Sequence, residues 1–313
     1  MLILFIPPNR VKSGIRPRNG PVPARTVPLL LYRYTTYNEA DKKAAVSRCG
    51  RLCKNILKRK SPIMPDTRKH RGPSPKDAEL FCEAALPMLR SAANDLAWLL
   101  DRGYGRKSAI ALVGDRYDLV ARQRTAVSRS VCSLAEKEDR AARMLDINRL
   151  SGVSLRLDGY NVLTTVEAAL AGGILLECRD ATVRDMASMH GTWRKVEETE
   201  LAIRLLGEMF DRFEFTRWIW LLDRPVSGSG DLAKLIRRIG SENRWNWEVE
   251  TPDDADRILI GSPSGDSETI KTCPPAATAD SNVLDHCGPW VNLAAETISI
   301  GRIDSTMIRL IDG

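Results

Sequence analysis

The chain has 313 residues, 43% of them hydrophobic and 28% charged, which is long for one core and comfortable for two small domains. No apolar run approaches the roughly 18 residues that a membrane-spanning helix needs, so a helical membrane protein is excluded and no membrane partner is expected. The net charge of +7 is unevenly shared: residues 1–60 carry 14 Lys/Arg against 2 acids, residues 61–150 carry 16 against 12, and residues 151–313 carry 17 against 26. The basic character thus belongs to the amino-terminal tail, and the carboxy-terminal half is acidic.

The tail, residues 1–63, is rich in Arg and Pro and lacks helical periodicity. It reads as a disordered basic extension, a transit peptide or an arm touching nucleic acid. Met64 opens a stretch of ordinary composition and is the alternative start of the natural chain. The seven cysteines are scattered without a C-x-x-C pair, so reduced thiols in a cytoplasmic protein are expected rather than a zinc site.

Residues 64–148 predict a small all-α domain. Leu86, Leu89, Ala93, Leu96 and Leu100 step by three and four along one helix, which ends near Gly103. A short helix over 106–113, a turn at 114–118 and a third helix follow. The third carries Val120, Val127, Val131 and Leu134 inward and Arg122, Arg124 and Arg129 outward. Helix, turn and basic helix outline a helix-turn-helix, although any helical bundle has surface arginines.

From about residue 149 the period changes to that of a doubly wound α/β sheet. A strand over 154–157 delivers Asp158, and helical stretches are predicted at 165–171, 180–190 and 197–213. The last places Leu201, Leu205, Met209 and Phe213 on one face. Residues 218–222 (Trp-Ile-Trp-Leu-Leu) are wholly apolar, which implies burial on both faces and a parallel sheet. A helix at 230–241, a strand at 246–250, a weak helix at 253–258, a helix from Asp280 and a short strand at 291–293 complete the series.

Chemistry is expected where strands end. Asp158 and Asp223 each follow an apolar strand, and Asp280 heads a helix, so all three belong to the sheet edge where open α/β folds bind ligands. Carboxylates gathered there repel one another unless a cation sits between them, and Mg²⁺ or Mn²⁺ takes oxygen ligands readily. Each acid also has a structural explanation: Asp158-Gly159 is a turn dipeptide, and Asp280 is a good helix cap. Arg179, Arg184, His190 and Arg194 surround a segment suited to gripping phosphate, and Ser227, Gly228 and Ser229 form a polar loop after Asp223.

The string Leu157-Asp158-Gly159-Tyr160-Asn161 resembles the first motif of the NYN branch of PIN-like ribonucleases. Thr278-Ala279-Asp280-Ser281 resembles their later Ser/Thr-x-Asp motif, and Asp223 stands where that family has its middle strand-end acid. Residues 71–294 more closely resemble a prokaryotic family of domains of unknown function 434 and 5616. Four strings carry that likeness: 70–73 (His-Arg-Gly-Pro), 112–116 (Leu-Val-Gly-Asp-Arg), 222–227 (Leu-Asp-Arg-Pro-Val-Ser) and 285–288 (Asp-His-Cys-Gly).

The PIN-like resemblance implies a PIN-like α/β domain over 149–313. It would be a divalent-metal-dependent ribonuclease-like phosphodiesterase acting on RNA, with DNA as the alternative substrate. Asp158, Asp223 and Asp280 would be catalytic and metal-holding, with Glu197 or Glu198 and Asp285 as further candidate acids. Arg122, Arg129, Arg179, Arg184 and Arg194 would meet nucleic acid. The alternatives are a non-catalytic PIN-like module that binds nucleic acid or protein, and a small-molecule phosphatase. The phosphatase is disfavoured because the first strand lacks an Asp-x-Asp pair.

Overall fold

A computed structural model describes residues 69–187, 192–261 and 273–311. The basic extension 1–63 and His190 lie outside the described residues. The helical segment comprises α1 (Asp77–Leu80), α2 (Leu86–Leu100), α3 (Arg106–Arg116), α4 (Ala121–Ser130) and α5 (Leu134–Arg143). The predicted stripe of α2 is borne out: Leu89, Ala93, Leu96 and Leu100 are all buried. The third predicted helix is in fact two. The chain turns extended at Val131, and Ser133 caps α5 in a reciprocal box with Glu136, with Glu136 N donating to Ser133 Oγ at 3.1 Å and Ser133 N to Glu136 Oε2 at 2.6 Å. Val127 and Val131 point inward as expected, but Val120 and Leu134 are exposed, because each stands at a helix start instead of on one continuous face.

After a short 3₁₀ turn come β1 (Ser154–Asp158), α6 (Gly159–Leu170), β2 (Ile174–Glu177), β3 (Val183–Asp185), α7 (Thr199–Arg212), β4 (Arg217–Leu221), α8 (Ser229–Asn243), β5 (Trp247–Glu250), α9 (Ala255–Ile260), β6 (Ala276–Ala277), α10 (Ser281–His286), β7 (Trp290–Val291), α11 (Leu293–Ile300) and β8 (Thr306–Arg309). The helix expected over 180–190 is therefore corrected to the hairpin strand β3. The face of α7 also differs from expectation. Steps of four drift around a 3.6-residue helix, so Ala202, Ile203, Leu206, Met209 and Phe210 are buried while Leu201 is exposed.

The main sheet is five-stranded and wholly parallel, in the order β5-β4-β1-β6-β7. Helices cover both faces, which makes it doubly wound. Trp218 and Trp220 of β4 look toward α6, α7 and α8, whereas Ile219 and Leu221 look toward α9 and α10. Trp218 stacks on Trp247 of the neighbouring strand with ring centroids 5.7 Å apart. A second sheet, β3-β2-β8, pairs β2 antiparallel with β3 and parallel with β8. Ile174, Leu176 and Ile308 of this sheet share a core with Leu89, Leu96 and Val127 of the helical segment.

Strand order reverses between β1 and β6: the chain leaving β1 returns at β4 on one side, and the chain leaving β6 returns at β7 on the other. Such a reversal opens a crevice at the strand carboxyl ends. Cys132, Cys178, Cys273 and Cys287 are free thiols, but Cys82 is disulfide-bonded, so the expectation of reduced cysteines fails at that position. Among the described residues no helix is long and apolar enough to cross a membrane.

Candidate active site

The crevice is built by three strand ends in register. Leu157 pairs with Ala277 of β6 and with Trp220 of β4, which sets Asp158 level with Leu221 and beside Thr278. Asp158 is buried, with Oδ2 accepting from Thr278 Oγ1 at 2.7 Å and Oδ1 from Asn161 N at 3.3 Å. Asn161 Oδ1 in turn accepts from Ala279 N at 2.8 Å, and Thr278 Oγ1 accepts from Asp280 N at 3.0 Å. The Asp-x-x-Asn and Thr-x-Asp strings thus lock the start of α6 to the end of β6.

Gly159 follows from the same closeness. A Cβ there would stand 2.5 Å from Leu222 Cδ2 and 2.8 Å from Leu221 O. The glycine admits the end of β4, a reason that the turn reading of Asp158-Gly159 does not contain.

Five aspartates influence one another along this edge. Burial pushes Asp158 up to about 7, and Asp280 and Asp256 add repulsion against the partial relief from Thr278 and Asn161. Burial also raises Asp256, with further repulsion from Asp280, Asp223 and Asp254. No basic side chain is among the leading influences on either group. Each acid has a local bond as well: Asp223 Oδ1 accepts from Ala255 N at 2.7 Å, and Asp280 Oδ1 caps α10 through Asn282 N at 2.8 Å and Val283 N at 3.2 Å. Tyr160 projects a buried hydroxyl beside Ser229; burial and then Asp223 push it up to about 12, against partial relief from Ser229. Among the described residues no group of three or more His, Cys, Asp or Glu side chains is gathered at metal-holding distance.

The structure therefore brings Asp158, Asp223 and Asp280 to one edge and adds Asp256, which the sequence reading passed over as part of a weak helix. Its signal was the run Asp253-Asp254-Ala255-Asp256 directly beyond β5. The other predicted acids go elsewhere. Glu198 Oε1 meets His70 Nδ1 at 2.5 Å, and the exposed Glu197 lies 3.7 Å from the same ring. Asp285 pairs with Arg140, whose Nη2 is 2.5 Å from its Oδ1.

The arginines expected to grip phosphate are mostly consumed inside the fold. Arg184 is buried and donates to Ala279 O and Arg129 O, each at 2.7 Å, while pairing with Asp180. Arg122 pairs with buried Asp77 and reaches Met186 O, and Arg129 donates to Asp185 O at 2.6 Å. Arg179 pairs with Asp101 at 2.9 Å, and Arg124 with Asp115 at 2.8 Å. The outward row of Arg122, Arg124 and Arg129 is thus corrected: their guanidinium groups turn back to carbonyls and carboxylates. Arg194 is exposed. The Ser227–Ser229 loop offers no open amide cradle: Ser227 O accepts from Trp193 N, Ser229 N donates to Val226 O, and Gly228 takes φ +90° against Trp193.

Fold and edge together define a doubly wound α/β protein with an acidic, cation-poor crevice at its strand reversal. The profile described as "Domain of unknown function (DUF5616)" matches residues 147–296, and "Protein of unknown function (DUF434)" matches residues 88–143. "Uncharacterized protein MJ0935" of Methanocaldococcus jannaschii is 31% identical over 149 residues, covering 48% of this chain and 71% of that relative. The chain belongs to the family of these two domains of unknown function. No solved structure matches it.

Proposed function

We propose that the carboxyl edge of the parallel sheet is the site of a divalent-metal-dependent, ribonuclease-like phosphodiesterase of PIN-like type acting on RNA, with Mg²⁺ or Mn²⁺ as cofactor. The observation that carries this reading is Asp158, a buried carboxylate facing Asp280 and Asp256 that enters no ion pair among the described residues. An all-oxygen, uncompensated donor set fits a hard divalent cation in kind. Asp158, Asp223, Asp256 and Asp280 would hold it. When bound, such an ion supplies Lewis acidity toward a phosphoryl oxygen. The chain's own part is positional: Thr278 and Asn161 fix the Asp158 carboxylate, and Gly159 lets β4 close the edge.

The test is thermal unfolding with and without Mn²⁺. A ligand bound only by the native state stabilises it by about 2.7 kcal/mol at a hundredfold excess over Kd. Mn²⁺ should therefore raise the Tm of the wild type by several degrees and that of Asp158→Asn or Asp280→Asn far less, and single-stranded RNA should be cut only by the wild type. A wild type that ignores Mn²⁺ while its Asn variants unfold would favour the second reading, a non-catalytic module that binds nucleic acid or protein. Asp223 and Asp280 both serving as acceptors for helix-start amides speaks for that alternative.

A further inference from the structure

α2 ends at an exposed aromatic corner that the fold does not need. Leu96, Ala97, Leu99 and Leu100 are buried, yet Trp98 among them is 49% exposed, and Tyr104 beyond the helix end is 56% exposed. The corner is well formed. Gly103 takes φ +79° and donates to Leu100 O, and Tyr104 N donates to Leu99 O at 3.2 Å. This is a left-handed helix terminus of the kind glycine favours. Arg102 Nη1 donates to Trp98 O at 3.2 Å and lays its guanidinium over the indole, 3.6 Å from the ring centroid.

The charges around these rings are uneven. Asp101 is already committed to Arg179 and to Leu134 N. Among the described residues Arg102 and Lys107 enter no ion pair, and both are exposed. The corner thus offers two rings and two exposed cations outside any described ion pair in the span 98–107, one of which, Arg102, also presents its guanidinium plane. Bases of an unpaired strand stack on aromatic rings and on guanidinium planes, while free Lys and Arg take the phosphates. A protein partner would be served as well by apolar area alone, which leaves the exposed Lys107 and the stacked Arg102 without a role.

We propose that the Trp98–Arg102–Tyr104 corner, with Lys107, is a stacking platform for single-stranded RNA. The choice of RNA rests on the phosphodiesterase reading, but the platform belongs to the helical segment and needs no metal.

The experiment uses the full chain in EDTA at raised salt. It titrates a labelled 12-nucleotide oligouridylate and an abasic sugar-phosphate chain of the same length. Phosphate contacts serve both probes alike, so the preference for the base-bearing probe reports stacking, and its loss in the double variant below assigns that stacking to this corner. The wild type should prefer oligouridylate by about tenfold or more, given roughly 1–3 kcal/mol per stacked base. Trp98→Ala with Tyr104→Ala should abolish the preference without lowering Tm, since neither ring is buried. Because EDTA removes any divalent ion, the preference is read independently of the proposed metal site. Equal binding of the two probes by the wild type would overturn the platform, as would an undiminished preference in the double variant. Concentration-dependent self-association lost in the double variant, with no base preference, would instead mark the corner as a protein-docking face.

Discussion

Two acidic regions of this molecule contain similar residues and opposite electrostatics. At the junction of the hairpin, α5 and α10, Arg140 is fully buried between Asp180, 2.5 Å away, and Asp285, while Arg184 closes the set on Asp180. Burial alone would raise Asp180, but Arg184, Thr182 and Arg140 hold it down at about 2. At the strand edge, Asp158 is equally buried, has Asp280 and Asp256 as its charged neighbours with only Thr278 and Asn161 donating to it, and is pushed up to about 7. Burial of charge therefore does not by itself mark a functional site. What separates the two is compensation, complete at the junction and missing at the edge.

Three measurements would break or sharpen this contrast. The largest effect is expected from Arg140→Ala, which leaves Asp285 without its cation and the fully enclosed Asp180 with Arg184 as its remaining one. Removing one partner of a buried pair costs about 3–5 kcal/mol, read from the shift of the urea midpoint. A cost under about 1 kcal/mol would show that the junction is not held by its charges.

The second is the pH dependence of stability, in which the two aspartates act in different windows and with opposite sign. Asp158 binds its proton more tightly folded, near 7, than unfolded, near 3.9. Its penalty is absent below about pH 4, grows as pH rises through 4 to 7, and is complete above that, reaching no more than about 4 kcal/mol. Asp180 binds its proton more weakly folded, so its contribution is full above about pH 4 and is lost as pH falls toward 2. Asp158→Asn should flatten the profile between pH 4 and 7 and leave the acid limb in place. An unchanged slope in that window would remove Asp158 as the uncompensated group.

The smallest of the three concerns the frame of the edge. In Gly159→Ala the new Cβ meets a backbone oxygen of β4 that cannot swing away, so a loss of about 1–3 kcal/mol is expected. A well-tolerated alanine would mean that β4 can withdraw and that the edge is not rigidly set. The same variant, if folded, should weaken any Mn²⁺-induced rise in Tm.

Much of the main sheet was legible because its strands announce themselves locally. The run from Trp218 to Leu222 is apolar at every position, as burial on both faces requires, and Asp158 and Asp223 end their strands in plain sight. The second sheet was not legible. β3 is only Val183-Arg184-Asp185, with a charged pair buried in it, and β2 finds its parallel partner β8 about 130 residues later. No local period encodes a pairing of that separation. Asp256 was hidden for a related reason: along the chain it is a first-turn acid of a short helix, and only the closing of β5 beside β4 carries that helix to the edge.

The sequence by itself determined the alternation of strands and helices, the parallel core and the three aspartates at strand and helix ends, because periodicity and strand-end position are local properties. Only the tertiary structure decided which charges find a counter-charge. Arg122, Arg129, Arg179 and Arg184 look the same in sequence as arginines free for phosphate, yet the fold turns each toward a carboxylate or carbonyl. Among the described residues the edge aspartates enter no ion pair. Pairing depends on distances between segments far apart in the chain, and Coulomb and desolvation energies are fixed only once those distances exist.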